Sequence, residues 1–205
     1  MSQIVLVHGW GYDASIWDAV RAKLSVDATT IDLGFYGAVP PAPTFTESII
    51  AVGHSLGALW WLTQAPDAWQ RLLCINGFPR FTEAAGYAPA VAPRVLSRMQ
   101  AQFARDPAAV LADFHARCGS HVPTATPKVE RLATGLDWLA QWDGRTTLAA
   151  RRVEVFALAS THDPIVPAAM SAMAFGTVES IDAADHLLPI THPELCAQWI
   201  ERLAA

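Results

Sequence analysis

The five residues Gly53-His54-Ser55-Leu56-Gly57 constrain the fold of this chain more than any other stretch. They follow an apolar, β-branched run, Ser48 to Val52, and precede a helical pattern that begins near Leu56. A serine between a buried strand and a helix lies on a sharp turn, where glycines two positions before and after it remove side chains that would clash. The pattern predicts a nucleophilic serine whose hydroxyl stands clear of the backbone. The alternative is a serine that caps an ordinary helix.

Short apolar runs that are typical of buried strands recur along the chain. They are Ile4–Val7, Ala28–Leu33, Ser48–Val52, Leu72–Ile75, Val153–Ala159 and Val178–Ile181. Helical spacing of apolar residues separates them, at Tyr12–Leu24, after Leu56 and at Pro193–Leu203. Strands that alternate with helices predict an α/β fold with a short, mostly parallel sheet of about six strands, covered on both faces.

Residues 79–149 interrupt this alternation. Strand patterns stop there, and apolar residues recur at helical intervals, as at Val95, Met99 and Phe103. A helical block between the fourth and fifth strands predicts a cap, or lid, inserted into a core made of residues 1–78 and 150–205.

Two polar residues lie where partners of the serine would be expected. Asp163 follows the fifth predicted strand and His186 follows the sixth. An activated serine needs a base and a carboxylate that orients it, and in folds with this serine turn they follow in the order Ser, Asp, His. The sequence therefore predicts Ser55, Asp163 and His186 as a catalytic triad. The rival histidines fit less well, because His162 neighbours the acid in sequence and His192 opens the last predicted helix. The rival acids Asp182 and Asp185 lie too close to the histidine loop to orient the imidazole from a separate strand.

The loop His8-Gly9-Trp10-Gly11 follows the first predicted strand. An oxyanion needs two backbone donors, one after the nucleophile and one from such a loop. We expect these donors to be the N–H groups of Leu56 and Trp10, with the Trp10 indole as a wall of the acyl pocket. We interpret His8 as a buried histidine that braces the loop.

Composition narrows the function classes. The chain of 205 residues has a formal net charge of −5, which argues against nucleic acid as a partner. It has no dinucleotide or phosphate-loop fingerprint and no metal-ligand spacing among its histidines, so we expect no cofactor and no metal. No apolar run is long enough for a leader peptide or a membrane span, and we expect no membrane association. The three widely spaced cysteines favour a reducing compartment, with the cytoplasm as the default.

Taken together, these motifs resemble the α/β-hydrolase superfamily along the whole chain. The segment Asn76-Gly77-Phe78-Pro79-Arg80-Phe81, the Trp10 loop and the spacing of His186, His192 and Pro193 are similar to the pimeloyl-[acyl-carrier protein] methyl ester esterases of biotin biosynthesis. The resemblance implies ester hydrolysis through an acyl-serine intermediate, with an acyl carrier protein as a partner that presents the ester. The same residues also suit a short-chain carboxylesterase, a thioesterase, a cofactor-free lyase or a non-catalytic relative that only binds a ligand.

The charge of the predicted cap fits a carrier-linked substrate. Residues 79–150 contain eight Lys and Arg and six Asp and Glu, whereas the rest of the chain is acidic. A basic cap could steer an acidic carrier toward the site, although solvated helix faces would show the same pattern. The residues that we expect to contact substrate are Trp10, Arg94, Arg98, Phe103 and Phe114.

Overall fold

A six-stranded, entirely parallel sheet forms the centre of the computed structural model, with the strand order β2-β1-β3-β4-β5-β6. The structure describes residues 2–38, 41, 44–45, 49–119, 121–182 and 185–205. The strands are β1 Gln3–Val7, β2 Ala28–Ile31, β3 Ile49–His54, β4 Trp69–Ile75, β5 Val155–Ser160 and β6 Glu179–Ile181. The predicted fold class, an α/β sheet of about six parallel strands, is confirmed.

Strand β3 lies inside the sheet, and all six of its residues are buried. A strand that is covered by helices on both faces has no solvated side, which explains why its sequence is continuously apolar until His54. The carboxyl ends of parallel strands share one edge of the sheet, so the loops after β1, β3, β4, β5 and β6 meet there.

Helices α1 to α9 alternate with the strands or follow them along the described chain. They are α1 Asp18–Arg21, α2 Leu56–Gln64, α3 Pro93–Phe103, α4 Pro107–Cys118, α5 Val129–Gln141, α6 Arg145–Ala150, α7 Ala168–Phe175, α8 Leu188–Thr191 and α9 Pro193–Ala204. Helices α3 to α6 lie consecutively between β4 and β5. The ends of α4 follow from its sequence, because Asp106 accepts a hydrogen bond from Ala109 N at the start and Gly119 adopts a left-handed conformation at the end.

Several predicted element boundaries differ from the structure. The helix predicted over Tyr12–Leu24 is a 3₁₀ helix, Ala14–Trp17, followed by the short α1. The Asp13 side chain accepts a hydrogen bond from Ser15 N, which starts a tight turn at that point. Strand β5 begins at Val155 rather than Val153, because Arg152–Glu154 forms a second 3₁₀ helix. Ser48, predicted as the start of the third strand, lies outside the described residues.

Within the ranges that the structure describes, no helix combines the length and the apolar character that crossing a bilayer requires.

Candidate active site

Ser55 occupies a strained turn between β3 and α2. Its φ of 54° and ψ of −120° lie outside the regions that ordinary residues populate. Its backbone N–H donates to Ile75 O at 3.0 Å, which ties the turn to the end of β4. Strain of this kind persists only where the surrounding structure maintains it, and it is concentrated at functional sites.

The glycines on either side of Ser55 are required by close backbone contacts. A Cβ atom at Gly57 would lie 2.2 Å from Val7 O, at the end of β1. A Cβ atom at Gly53 would lie 2.4 Å from both the N and Cα atoms of Ala58. Both distances are far below van der Waals contact. The spacing of the glycines therefore reflects how tightly the turn packs against β1 and against its own helix.

His186 and Asp163 form a buried, hydrogen-bonded pair. His186 Nδ1 lies 2.7 Å from Asp163 Oδ2, and each side chain is only 1% exposed. The other carboxylate oxygen accepts hydrogen bonds from Ile165 N at 2.7 Å and Val166 N at 2.9 Å. Since a carboxylate only accepts, Nδ1 carries a proton, and in a neutral imidazole the lone pair then lies on Nε2. The loop after β5 thus holds the imidazole in the tautomer that a general base needs.

Ser55 and His186 are brought into the same buried region, but their side chains are not hydrogen bonded. His186 Nε2 is buried and has no hydrogen-bond partner among the described residues. The ring of His54, the residue before the serine, packs against the His186 ring with 4.8 Å between centroids. Ser55 itself is 6% exposed.

The carbonyl oxygen of His186 is held by two buried donors that the sequence did not reveal. His54 Nε2 donates to it at 2.8 Å, and Asn76 Nδ2 donates to it at 3.0 Å. Asn76 also joins β5, since its Oδ1 accepts from Ser160 N at 2.8 Å. The one available signal was polar residues at the ends of two neighbouring buried strands.

Burial, followed by the neighbouring His186, lowers the pKa of the His54 imidazole well below its ordinary value of 6.5. A neutral ring that donates from Nε2 carries a lone pair on Nδ1. That nitrogen faces the loop after β1, because a Cβ atom at Gly9 would lie 2.9 Å from it. His54 therefore fills the space between this loop and His186.

The loop after β1 lies directly beside the serine. A Cβ atom at Gly9 would approach Ser55 Cβ to 3.0 Å, so the following residue, Trp10, lies near Ser55. Leu56 begins α2, where a backbone N–H has no acceptor within the helix. His8 braces the loop, because its Nδ1 lies 2.9 Å from Gly9 O and its Nε2 accepts from Leu33 N at 2.8 Å.

Helices α4 and α5 hold the same loop from the opposite side. Trp10 Nε1 donates to Leu132 O at 2.8 Å, and His115 Nε2 donates to Gly11 O at 2.7 Å. The Trp10 ring also packs edge-to-face on Phe114 at 4.8 Å. The segment between β4 and β5 is therefore packed directly on the loop beside Ser55.

A cavity of about 180 Å³ opens at Ser55. Its lining is mostly apolar and consists of Trp10, Ser55, Phe81, Val91, Val95, Leu96, Met99, Phe114, Arg117, Leu139, Pro164, Ile165 and Pro167. A larger groove of about 550 Å³ lies between α3 and α4 and shares Val95, Met99, Phe114 and Arg117 with the cavity. The cavity and the outer groove therefore adjoin along these four side chains.

The five residues expected to contact substrate are placed differently. Trp10 and Phe114 line the cavity, and Arg98 lines the outer groove. Phe103 is buried and packs edge-to-face on the Trp10 ring at 5.9 Å, behind the cavity wall. Arg94 is exposed in the first turn of α3 and lines neither space. Arg117, which sequence reasoning did not select, lines both.

The rival histidine and acid of the loops after β5 and β6 lie apart from the buried pair. His162 and Asp182 face each other at 3.6 Å on the surface, with side chains 68% and 95% exposed. In the described ranges, no group of three or more His, Cys, Asp or Glu residues is arranged to bind a metal ion.

The class of protein follows from a sequence comparison. The chain matches the profile of the alpha/beta hydrolase family over residues 4–199, and it belongs to this family. An esterase from Exiguobacterium antarcticum has the same fold, with a TM-score of 0.75 at 14% identity over 100% of this chain and 93% of that one. A bromoperoxidase from Bacillus anthracis superposes with a TM-score of 0.76 at 14% identity, over 99% and 91% of the two chains.

Several proteins of similar sequence share one name. A pimeloyl-[acyl-carrier protein] methyl ester esterase from Aliivibrio salmonicida is 29% identical over 200 residues, covering 81% of this chain and 76% of that protein. The protein of the same name from Methylococcus capsulatus is 29% identical over 241 residues, covering 99% and 94%. The resemblance to these esterases that the motifs indicated is confirmed.

Proposed function

We propose that this protein is a serine esterase in which Ser55, His186 and Asp163 form the catalytic triad. The observation that carries the proposal is the buried His186–Asp163 hydrogen bond of 2.7 Å beside a serine held at a φ of 54°. A buried carboxylate–imidazole pair near a backbone-strained serine supports the proposal, because strain of this kind is concentrated at functional sites.

The reaction that these residues support proceeds through an acyl-serine. His186 Nε2 removes the Ser55 hydroxyl proton as Oγ bonds to the ester carbonyl carbon. The resulting oxyanion accepts hydrogen bonds from the N–H groups of Trp10 and Leu56. As the carbon–oxygen bond to the alcohol breaks, the imidazolium returns its proton to that alcohol. Water then repeats the sequence and releases the acid, while Asp163 stabilises the imidazolium at each stage.

We further infer that residues 79–149 act as a cap over the serine. Side chains from α3, α4 and α5 line the Ser55 cavity, at Met99, Phe114 and Leu139. The cavity volume of about 180 Å³ is below the range of roughly 300–1,000 Å³ that is usual for ligand pockets. The reacting ester therefore enters the cavity, and the rest of a long substrate lies in the outer groove.

The substrate proposed on the strength of the relatives is an ester carried by an acyl carrier protein, such as a pimeloyl methyl ester. Arg98 and Arg105 line the outer groove and offer positive charge at its surface to an acidic carrier. The three cysteines are all free and buried, which supports the reducing, cytoplasmic compartment expected for such a carrier.

Labelling with a fluorophosphonate probe tests the catalytic proposal, because only an activated serine reacts with it. We expect the wild-type protein to be labelled and Ser55→Ala to be unlabelled while remaining folded. Ser97→Ala, a change at an exposed serine of α3, should label like the wild type. Labelling of Ser55→Ala at the wild-type rate would refute Ser55 as the nucleophile.

A panel of esters and thioesters then tests the substrate. We expect hydrolysis of a carrier-linked methyl ester with kcat/KM well above that of the same acyl methyl ester without a carrier. Equal values for the two would favour a short-chain carboxylesterase, to which the small cavity is also suited. Preference for the matched thioester would favour a thioesterase.

A further inference from the structure

Arg117 is the only charged residue among the described residues that line the Ser55 cavity. It lies in the last turn of α4 and also lines the outer groove. The remainder of the cavity wall is apolar or aromatic apart from Ser55. A cation at the junction of an apolar cavity and a groove is a polar group that can fix the orientation of a ligand.

The guanidinium group of Arg117 retains free hydrogen-bonding capacity. Nη2 donates to Pro164 O at 3.0 Å, and a guanidinium has five N–H donors. Among the described residues it forms no salt bridge, whereas Arg80 and Arg145 both pair with Asp143, at 3.1 and 2.7 Å. Its charge is therefore not matched by a carboxylate of the described residues.

Two acidic residues of α4 and its N-terminus also line the outer groove, and neither neutralises Arg117. Asp106 accepts a hydrogen bond from Ala109 N at the start of α4, at the opposite end of the helix from Arg117. Asp113 lies one turn before Arg117, yet its carboxylate is more than 4.0 Å from the guanidinium. The charge available at the cavity mouth is thus positive.

We propose that Arg117 forms a subsite for an anionic oxyacid group of the substrate, either a carboxylate or a phosphate, separated from the reacting ester by an apolar segment. This rests on the proposed esterase function. The apolar segment would occupy the cavity wall around Phe114 and Met99. Arginine suits this role because its planar fork binds carboxylate and phosphate through two parallel hydrogen bonds.

Matched esters test the subsite. One is the monomethyl ester of a dicarboxylic acid, which carries a carboxylate, and the other is the neutral dimethyl ester of the same acid. A third, linked to phosphopantetheine, carries a phosphate instead. For Arg117→Met we expect kcat/KM on at least one anionic ester to fall about tenfold, the scale of one lost charge-assisted hydrogen bond. The neutral diester should change by less than about twofold, and Arg117→Lys should retain most of the activity on the anionic ester.

The pattern of losses distinguishes the outcomes. A loss confined to the half-ester identifies a carboxylate as the ligand, and a loss confined to the phosphopantetheine ester identifies a phosphate. Equal losses on charged and neutral esters would overturn the subsite and indicate that Arg117 acts through Pro164 on the neighbouring Asp163. No loss on any ester would overturn it as well.

Binding measurements keep this test independent of catalysis. Calorimetric titration of Ser55→Ala with the half-ester and the phosphopantetheine ester should show weaker binding when Arg117→Met is added. Unchanged affinity for both would overturn the subsite. If wild type neither labels with fluorophosphonate nor cleaves the neutral diester, the esterase proposal fails, and the titration still decides the subsite.

A separate set of contacts, at the backbone of His186, carries a second inference. Its carbonyl oxygen accepts from His54 Nε2 at 2.8 Å and Asn76 Nδ2 at 3.0 Å, and both donors are fully buried. Asp163 orients the imidazole, while these two donors locate the backbone from which the imidazole projects. We infer that His54 and Asn76 are positioning residues for the general base.

Paired substitutions at His54 separate positioning from folding. His54→Phe removes the donor and retains a ring, whereas His54→Gln retains an N–H donor near the same position. We expect kcat of His54→Phe to fall about tenfold or more with little change in KM, since a displaced base affects the transition state rather than binding. His54→Gln should recover much of the rate.

The rates are expressed per folded molecule, using circular dichroism to measure the folded fraction. Asn76→Asp gives an independent check, because it keeps the acceptor for Ser160 N and replaces the donor to His186 with an oxygen. An unchanged kcat per folded molecule in both His54→Phe and Asn76→Asp would overturn the positioning role. A fall in His54→Phe that His54→Gln does not reduce would also count against it.

Discussion

The two sides of the Ser55 cavity differ in the burial of their charged and polar residues. On the sheet side, Asp163 and His186 are buried, and Asp163 also accepts two backbone hydrogen bonds. On the helix side, Arg98 and Arg105 are exposed in a groove. A buried polar group that loses its partner carries its full desolvation cost, whereas exposed charges are screened by water and salt. The geometry of the proposed triad should therefore be intolerant of substitution, whereas the proposed substrate contacts on the helix side should tolerate change.

The largest expected effect is on the sheet side, in Asp163→Asn. The amide can offer its oxygen to Ile165 N and Val166 N, but its NH₂ group then faces His186 Nδ1 and favours the wrong tautomer. We expect kcat for a small ester to fall by about 10⁴, as for the acid of a triad. Asp182→Asn, at an exposed loop residue, should retain wild-type activity. A loss of less than tenfold in Asp163→Asn would mean that the buried pair is structural.

The next largest effect is steric and concerns the serine turn. In Gly57→Ala the new methyl group would lie 2.2 Å from Val7 O, so β1 and α2 must separate. We expect the free energy of unfolding to fall by about 3 kcal/mol, at the upper end of overpacking costs.

Gly86→Ala provides the control for that variant. Gly86 also resists substitution, through a φ of 68°, but a Cβ atom there would meet nothing within 4 Å. Gly86→Ala should lower the free energy of unfolding by only about 1–2 kcal/mol. If urea unfolding shows an equal loss of unfolding free energy in the two variants, the structure around the serine turn and β1 relaxes enough to accommodate the methyl group.

A smaller effect concerns the pH dependence of stability. His54 has a pKa well below 6.5 in the folded protein, because burial disfavours its cation. The unfolded chain binds a proton at His54 below about pH 6.5 and the folded chain does not, so acid favours unfolding. From this residue alone, the unfolding free energy should fall by about 1.4 kcal/mol per pH unit below 6.5 and be constant above it.

Comparison with His54→Gln isolates that contribution. Burial also lowers the pKa of His115, but this contribution is present in both proteins and cancels. Unfolding free energies measured between about pH 5 and 8 should show a shallower acid slope for the variant. Identical slopes would mean that His54 accepts a proton in the folded state.

The smallest effect is expected on the helix side. Arg98→Glu combined with Arg105→Glu should lower kcat/KM for a carrier-linked ester by a factor of about five, and the loss should shrink at high salt. A small neutral ester should be unaffected. Arg94→Glu is the control, because Arg94 lies on the same helix as Arg98 but outside the groove. A salt-independent loss on both esters would indicate damaged packing of α3 and remove the contrast between the two sides.

Local patterns made the serine turn and the fold predictable. The turn at Ser55 depends on neighbouring residues, namely a buried strand before it and glycines beside it, so its sequence pattern suffices. Asp163 and His186 follow successive predicted strands, and parallel strands bring their ends to one edge. The boundaries of the segment near Tyr12 could not be predicted, because the Asp13 side chain competes with helical hydrogen bonding there.

The sequence by itself thus determined the parallel sheet, the strained serine and the order of the residues that follow the strands. Only the tertiary structure decided which side chains meet across long separations. Asn76 reaches the carbonyl of a residue 110 positions away, and His54 reaches it across 132 positions. Arg117 lines the cavity where Arg94 does not, although both are arginines of amphipathic helices. The physical reason is that periodicity specifies which face of an element is buried, whereas the packing of whole elements determines what that face contacts.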